Sequence, residues 1–376
     1  MAEIMGMGLS HYPGPLVAVE HWPSMLQRWV ELGRVQPEVF AARDRWPDAM
    51  RREWGNDDGQ AAARMHRERL LAGYRQLRQA LDAFKPDIVL VWGDDQYENF
   101  KRDCIPAFCV GIYDKVISRP YGGGLAVFKT DQNVWGLARD TELPIACHAQ
   151  GARGLTQALL EGGFDVAYSQ AVRHPGGLAH SFNNTVIYLD YDQRGFGFSY
   201  PIIPFHVNCY GSQLIKTSAS VVGEGADEIS PPSPSPARCF EIGRATARYF
   251  ANSPWRVALI GSASWSHGSL TQKHGRLYPD LVTDRARYDQ LRGNRFGDWG
   301  KLTQAEMEDS GQHEVLNWIC LAGAMTELGQ TAEVVDYVET YVFNSAKCFA
   351  LFPPQGGLAR GEAANASGGG ARRAVS

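Results

Sequence analysis

Lys85-Pro86-Asp87-Ile88-Val89-Leu90-Val91-Trp92-Gly93-Asp94-Asp95-Gln96 is the stretch from which the fold is read. Ile88 to Trp92 form an unbroken apolar run, the pattern of a strand covered on both faces, as in parallel sheets. Before it, residues 44 to 84 are rich in Arg, Ala, Leu and Glu, and Leu70, Leu71, Tyr74, Leu77 and Leu81 recur at helical spacing. This segment predicts one long helix, broken near Asn56-Asp57-Asp58-Gly59 and ended by Lys85-Pro86. Helix, buried strand and polar loop make an α/β unit.

The same grammar recurs. Arg153 to Leu160 and Ala237 to Ala251 read as helices, whereas Val186-Ile187-Tyr188-Leu189, Ile202-Ile203-Pro204-Phe205 and Val257 to Ile260 read as strands. The expected fold class is α/β, a single large domain over residues 1–352 with a mixed central sheet flanked by helices. The Pro/Ser/Gly-rich segment 218–237 reads as a surface loop within that domain, and residues 355–376 as a disordered tail.

The chain has 376 residues, 44% of them hydrophobic, and a net charge of -4. It carries no concentrated basic run and no apolar stretch long enough to span a bilayer, so neither nucleic acid nor membrane is an expected partner. The N-terminus lacks a secretory pattern, and the seven cysteines are scattered without CxxC pairs. A cytoplasmic protein with free thiols and a small-molecule substrate is expected.

Four of the ten histidines stand in short polar words expected at strand ends: His11 in Gly8-Leu9-Ser10-His11-Tyr12-Pro13, His180 in Leu178-Ala179-His180-Ser181, His206 in Pro204-Phe205-His206-Val207-Asn208, and His267 in Ser264-Trp265-Ser266-His267-Gly268. Neutral imidazoles there bind metals or move protons near neutral pH. Trp92, Phe100, Tyr188 and Trp265 lie near these words and read as core, or as rings that stack on a bound aromatic. Ser266 beside His267 raises a hydrolase reading, but the chain lacks a Gly-x-Ser-x-Gly elbow with a later histidine.

Taken together, the His11 word, Gly93-Asp94-Asp95-Gln96-Tyr97-Glu98-Asn99-Phe100, Ile105-Pro106-Ala107-Phe108, the His206 word, Ala237-Arg238-Cys239-Phe240, Val257 to Gly261 with Ser266-His267, Glu314-Val315-Leu316-Asn317-Trp318 and Ala322-Gly323-Ala324-Met325 resemble the class III extradiol dioxygenases, the superfamily of the protocatechuate 4,5-dioxygenase catalytic subunit. The resemblance runs from about residue 5 to 325. It implies a mononuclear non-haem Fe(II) held by two histidines and a carboxylate, which joins a catechol-, aminophenol- or hydroxypyridine-like ring to O2.

By position, the resemblance makes His11 a metal ligand and His206 the acid/base catalyst, with His180 and His267 lining the substrate pocket and His267 open to ligation as well. The chain departs from the family pattern twice. Gln96 stands where the second metal histidine is expected, and the glutamate expected after His267 is absent, leaving Gln272, His274 and Asp280 nearby. Charge favours Asp280 as the missing ligand and donor strength favours His274, while Asp284 and Arg285 read as a surface pair. These departures motivate the competing reading of a metal-deficient member that acts as a subunit or aromatic-binding module. A homo-oligomer or a small helical partner subunit is compatible with either.

Overall fold

The apolar run that opens the sequence reading is strand β2 (Ile88–Asp94) in the computed structural model, which describes residues 2–101, 103–122, 125–174, 176–211 and 231–354. Around it, in chain order, run β1 (Ile4–Leu9), α1 (Ser24–Glu31), α2 (Pro37–Ala41), α3 (Asp48–Trp54) and α4 (Gln60–Phe84). After β2 come β3 (Phe108–Gly111), β4 (Lys115–Ser118), β5 (Leu143–Ala146), α5 (Ala149–Glu161), β6 (Ala167–Ser169), α6 (His180–Leu189) and β7 (Ile202–Val207). The chain continues through α7 (Pro236–Ala251), β8 (Val257–Ser262), α8 (Leu281–Arg292), α9 (Gln304–Asp309), α10 (Val315–Glu327), β9 (Glu333–Val338) and β10 (Lys347–Phe352).

An eight-stranded sheet in the order β6-β3-β7-β2-β8-β1-β10-β9 forms the spine, with β4 and β5 paired separately. β7, β2, β8 and β1 are mutually parallel, while β3 joins β7 and β10 joins β1 antiparallel. The mixed sheet flanked by helices is therefore the architecture. Alternation along each strand sorts two cores: Val89, Val91, Ala258 and Ile260 face α4 and α6, and Ile88, Leu90, Trp92, Val257 and Leu259 face α5, α7 and α10. α7 and α10 approach so closely that a Cβ on Gly243 would lie 1.9 Å from the Cys320 carbonyl oxygen.

The helix before β2 is broken, as expected, between Trp54 and Gln60, with Gly55 and Gly59 at positive φ. Val186-Ile187-Tyr188-Leu189 is a correction: these residues form the last turn of α6, which is buried nearly all round between α4 and the sheet. A short apolar run reports burial on every side and does not itself separate strand from buried helix. α6 also moves His180 from an expected strand end to a helix start. Most of the 218–237 loop and all of the 355–376 tail lie outside the described residues, and α7 begins already at Pro236. All seven cysteines are free.

The register aligns the parallel strands at their C-terminal ends: Leu9 pairs with Ser262, Trp92 with Gly261, and Gly93 with His206. Open α/β sheets place ligands outside this edge. The segments carrying His11, Asp94 to Gln96, His206 and His267 all arrive there.

Candidate active site

His11 lies two residues beyond β1 and is buried. Its backbone carbonyl accepts from Asn184 Nδ2 at 2.9 Å, and the preceding Ser10 carbonyl from the Tyr74 hydroxyl at 2.6 Å. The ring Nδ1 sits 3.1 Å from the Ser262 carbonyl oxygen. A carbonyl only accepts, so Nδ1 carries a proton and Nε2 faces the site. There Nε2 lies 3.3 Å from Asp94 Oδ1 and 3.3 Å from Glu314 Oε2.

Glu314 is the carboxylate that sequence reasoning missed. It immediately precedes α10, a helix of almost wholly apolar residues, and is buried. Oε1 accepts from the Tyr210 hydroxyl and from Gln96 Nε2 at 3.2 Å, and faces His267 Nε2 at 3.4 Å. Oε2 makes no hydrogen bond among the described residues and meets His11 only across the ion contact. Asp94, the last residue of β2, is a second carboxylate of the site to which the sequence alone assigns no role. Asn317 Nδ2 reaches both Asp94 Oδ1 and the Ser262 carbonyl, at 3.3 and 3.0 Å.

The electrostatics follow from two carboxylates sharing a buried space. Burial weakens the His11 imidazolium, but Asp94 and Glu314 together outweigh it and raise its pKa above the ordinary value. Burial also raises the Glu314 carboxyl, yet His267, His11 and Tyr210 overcome that and hold it well below the usual range. Asp94 is pushed up by burial and then by the Glu314 charge.

Gln96 enters among these acids. Its Nε2 lies 3.1 Å from Asp94 Oδ2, 3.2 Å from Glu314 Oε1 and 3.3 Å from the Tyr210 hydroxyl. The amide so oriented bridges the carboxylates as a donor, and a flipped amide would present its oxygen instead. Asp280 and His274 are not brought to His11. Asp280 caps α8 through Thr283 and pairs with Lys273 Nζ at 2.8 Å, and His274 stacks on Tyr278 at 4.3 Å. Asp284 is fully buried, and Arg285 pairs instead with Glu339 at 2.6 Å, which corrects the expected surface pair.

His206 stands within β7 and is buried, and neither ring nitrogen has a hydrogen-bond partner among the described residues. Phe182 and Phe100 contact its ring at 4.5 and 5.0 Å. Burial depresses it to about 3, so the imidazole is neutral. It opens on a cleft lined also by Tyr97, Phe100, Pro106 and Tyr210. Of the four aromatics noted in the sequence, only Phe100 faces this cleft, and Trp92, Tyr188 and Trp265 are fully buried core.

His180 approaches His11 edge-on at 5.0 Å, and its Nδ1 is 2.7 Å from Glu98 Oε2. Burial opposes its charge, but Glu98 outweighs burial and raises the ring to about 10. Ligand atoms of His11, Asp94 and His180 lie within 4.8 Å of one another. The donors around His11 suit a divalent cation. Ligands about 2.1 Å from a metal stand roughly 3 Å apart; the His11–Asp94 separation within that three-donor group is of that size, and Glu314 lies 3.3 Å from His11 as a further carboxylate.

Comparison with known proteins bears on this site. No family model matches the chain. A 2,3-dihydroxyphenylpropionate/2,3-dihydroxicinnamic acid 1,2-dioxygenase of Paraburkholderia phymatum is 24% identical over 70% of this chain and 83% of its own length. The enzyme of the same name from Burkholderia vietnamiensis is 24% identical over the same shares. That of Photorhabdus laumondii is 23% identical over 55% of this chain, which spans only 51% of that relative. An uncharacterized Escherichia coli K12 protein of known structure aligns over 75% of this chain and 92% of its own with 13% identity and a TM-score of 0.45.

The chain is thus similar in sequence to proteins named as dioxygenases, in keeping with the resemblance its motifs carry. The relatives that carry the match are named as dioxygenases of dihydroxylated aromatic acids. No helix among the described residues is long and apolar enough to cross a membrane.

Proposed function

We propose that the protein is an extradiol ring-cleaving dioxygenase acting with O2 on a catechol-like aromatic at an Fe(II) held by His11 and Glu314 with Asp94. The observation that carries this reading is the convergence of His11 Nε2 with two buried carboxylates at the strand edge, beside a neutral His206 that has no hydrogen-bond partner among the described residues. When bound, Fe(II) supplies the electron route between a closed-shell aromatic and triplet O2. The protein does the rest. Phe100 and Tyr210 line the cleft on which His206 opens and offer the rings against which an aromatic substrate would pack.

His206 is the acid/base residue. A substrate hydroxyl entering the cleft provides the missing hydrogen-bond partner, and the free ring nitrogen accepts its proton and later returns one to the opening ring. His180 and His267 flank the His11–Glu314 cluster, His180 edge-on to His11 at 5.0 Å and His267 with its Nε2 toward Glu314, its Nδ1 bonding the Trp265 carbonyl at 2.8 Å. Gln96 holds the two carboxylates at a fixed separation, in place of ligating as a histidine would.

The test is anaerobic loading with Fe(II), followed by oxygen uptake and ring-opened product absorbance with a panel of catechols, aminophenols and hydroxypyridines. Uptake with a yellow product from a catechol supports the reading. No uptake from any of the panel by protein that has bound iron overturns it. A metal-free binding module is the second reading, favoured by the Gln96 amide that donates to one oxygen of each carboxylate without a cation. Metal analysis after anaerobic loading separates the two, because the module binds no iron under any loading.

A further inference from the structure

The loop after β2 clasps the start of α6 at several points. Ser181 Oγ donates to the Asp94 carbonyl at 2.6 Å, and the Asn99 side chain accepts from the Ala179 N–H at 2.8 Å and donates to the Gly177 carbonyl at 2.6 Å. Between these ties Glu98 takes hold of His180 twice. Its Oε1 accepts from the His180 backbone N–H at 3.0 Å, and its Oε2 lies 2.7 Å from the ring Nδ1. Asp95 steadies the loop itself by accepting from the Asn99 and Phe100 N–H groups at 2.7 and 3.1 Å. Gln96, standing where a metal histidine is expected, and Glu98, which fixes a histidine from another element, thus belong to one short loop.

An ionised carboxylate only accepts, so the His180 Nδ1 carries the proton that Glu98 receives, and Nε2 is the nitrogen left to bind a metal. A carboxylate behind an imidazole in this way sets the tautomer and the aim of a metal ligand. The His180 ring stands edge-on to His11, and one ligand atom from each of His180, His11 and Asp94 lie within 4.8 Å of one another. Ligands of one ion stand roughly 3 Å apart, so binding draws the three inward by about 2 Å at most. His267 also has its Nδ1 held by a carbonyl, but it meets Glu314 and lies outside this group. Gln96 faces the carboxylates with its amide nitrogen, which donates and does not ligate.

We propose that His180 is a metal ligand, supplying from α6 the second imidazole that the β2 loop lacks, and that Glu98 is the residue that positions it. His11, His180 and Asp94 make a set of two histidines and one carboxylate, the donor pattern suited to a non-haem ferrous ion, with Glu314 as a further carboxylate beside His11. Ligation uses an unprotonated Nε2, so the cation takes the place of a proton there. The proposal rests on the reading of His11 as a metal ligand and not on the ring-cleavage reaction.

Co(II) added to the full-length, metal-free protein tests it, with calorimetry for affinity and proton NMR for ligand identity. Each ligated imidazole that keeps its other N–H gives one exchangeable signal shifted by the paramagnetic ion. The unaltered protein is expected to show two such signals, and His180→Gln one. His180→Gln is expected to weaken binding by about 100-fold or more and Glu98→Ala by about 10- to 100-fold, the range that loss of a group behind a ligand costs, with Glu98→Gln recovering part. If His180→Gln does not fold, the two Glu98 variants decide by the same affinities. Unchanged affinity and two signals in His180→Gln, or loss of the second signal in His267→Gln instead, overturns the assignment while leaving His11 as a ligand. No Co(II) binding by the unaltered protein overturns both. His180-dependent binding in a protein that, loaded with Fe(II), opens no ring keeps the assignment and removes the dioxygenase.

Discussion

At the residue scale, the site depends on polar groups left incomplete in a dry environment. His206 has two buried nitrogens without hydrogen-bond partners among the described residues, and that cost is tolerable only for a neutral ring. Replacing it in His206→Asn is expected to lower kcat by about 10²- to 10⁴-fold, with iron content unchanged by metal analysis, because neither His206 ring nitrogen bonds His11, Asp94 or Glu314. His11 and His206 could be found in the sequence, since each is a histidine in a polar word after an apolar run. Glu314 stands in one of the words that carry the resemblance but has no role assigned there, because its own signal is only an acidic residue opening an apolar helix and its partner His11 lies near the other end of the chain.

At the element scale, two devices hold the edge where the site sits. α7 and α10 pack backbone to backbone at Gly243, so Gly243→Ala drives a methyl into the Cys320 carbonyl. A loss of about 1–3 kcal/mol in urea unfolding is expected. The second device is Asp284 on α8, whose Oδ1 accepts from the Ser266 N–H at 3.0 Å and from Gln312 Nε2 at 2.6 Å. It thereby ties the turn carrying His267 to the turn carrying Glu314, and the His267 N–H bonds the Gly311 carbonyl across the same gap at 2.9 Å. Burial raises the Asp284 carboxyl from 3.8 to about 7. The folded state therefore holds this proton more tightly than the unfolded chain, and the stabilisation is complete below about pH 4 and is lost as pH rises through 7. Asp284→Asn keeps an oxygen for both donors and removes the titration. Its unfolding free energy, measured by denaturant from pH 5 to 8, is expected to fall less steeply than that of the unaltered protein, by an amount on the order of a few kcal/mol across the range. Parallel pH profiles for the two proteins would show that Asp284 does not titrate there.

At the scale of the whole molecule, the site is assembled from β1, β2, β7, the turn after β8 and the start of α10, so no local piece of chain contains it. A metal held there would therefore be coupled to global folding. A divalent cation at a hundred times its Kd is expected to add about 2.7 kcal/mol and to raise the thermal midpoint by a few degrees in calorimetry; a chelator reverses the rise, and His11→Ala abolishes it. The sequence by itself determined the α/β class, the buried central strands, the break before α4, and His11 and His206 as candidates, because alternation, apolar runs and turn residues are local consequences of backbone geometry and burial. It did not determine that Val186 to Leu189 coil, that Glu314 and Asp94 face His11, or that Asp280 caps a helix. Those depend on strand order and register, which bring together residues from both ends of the chain, and only the tertiary structure decides which polar groups then share a low-dielectric space.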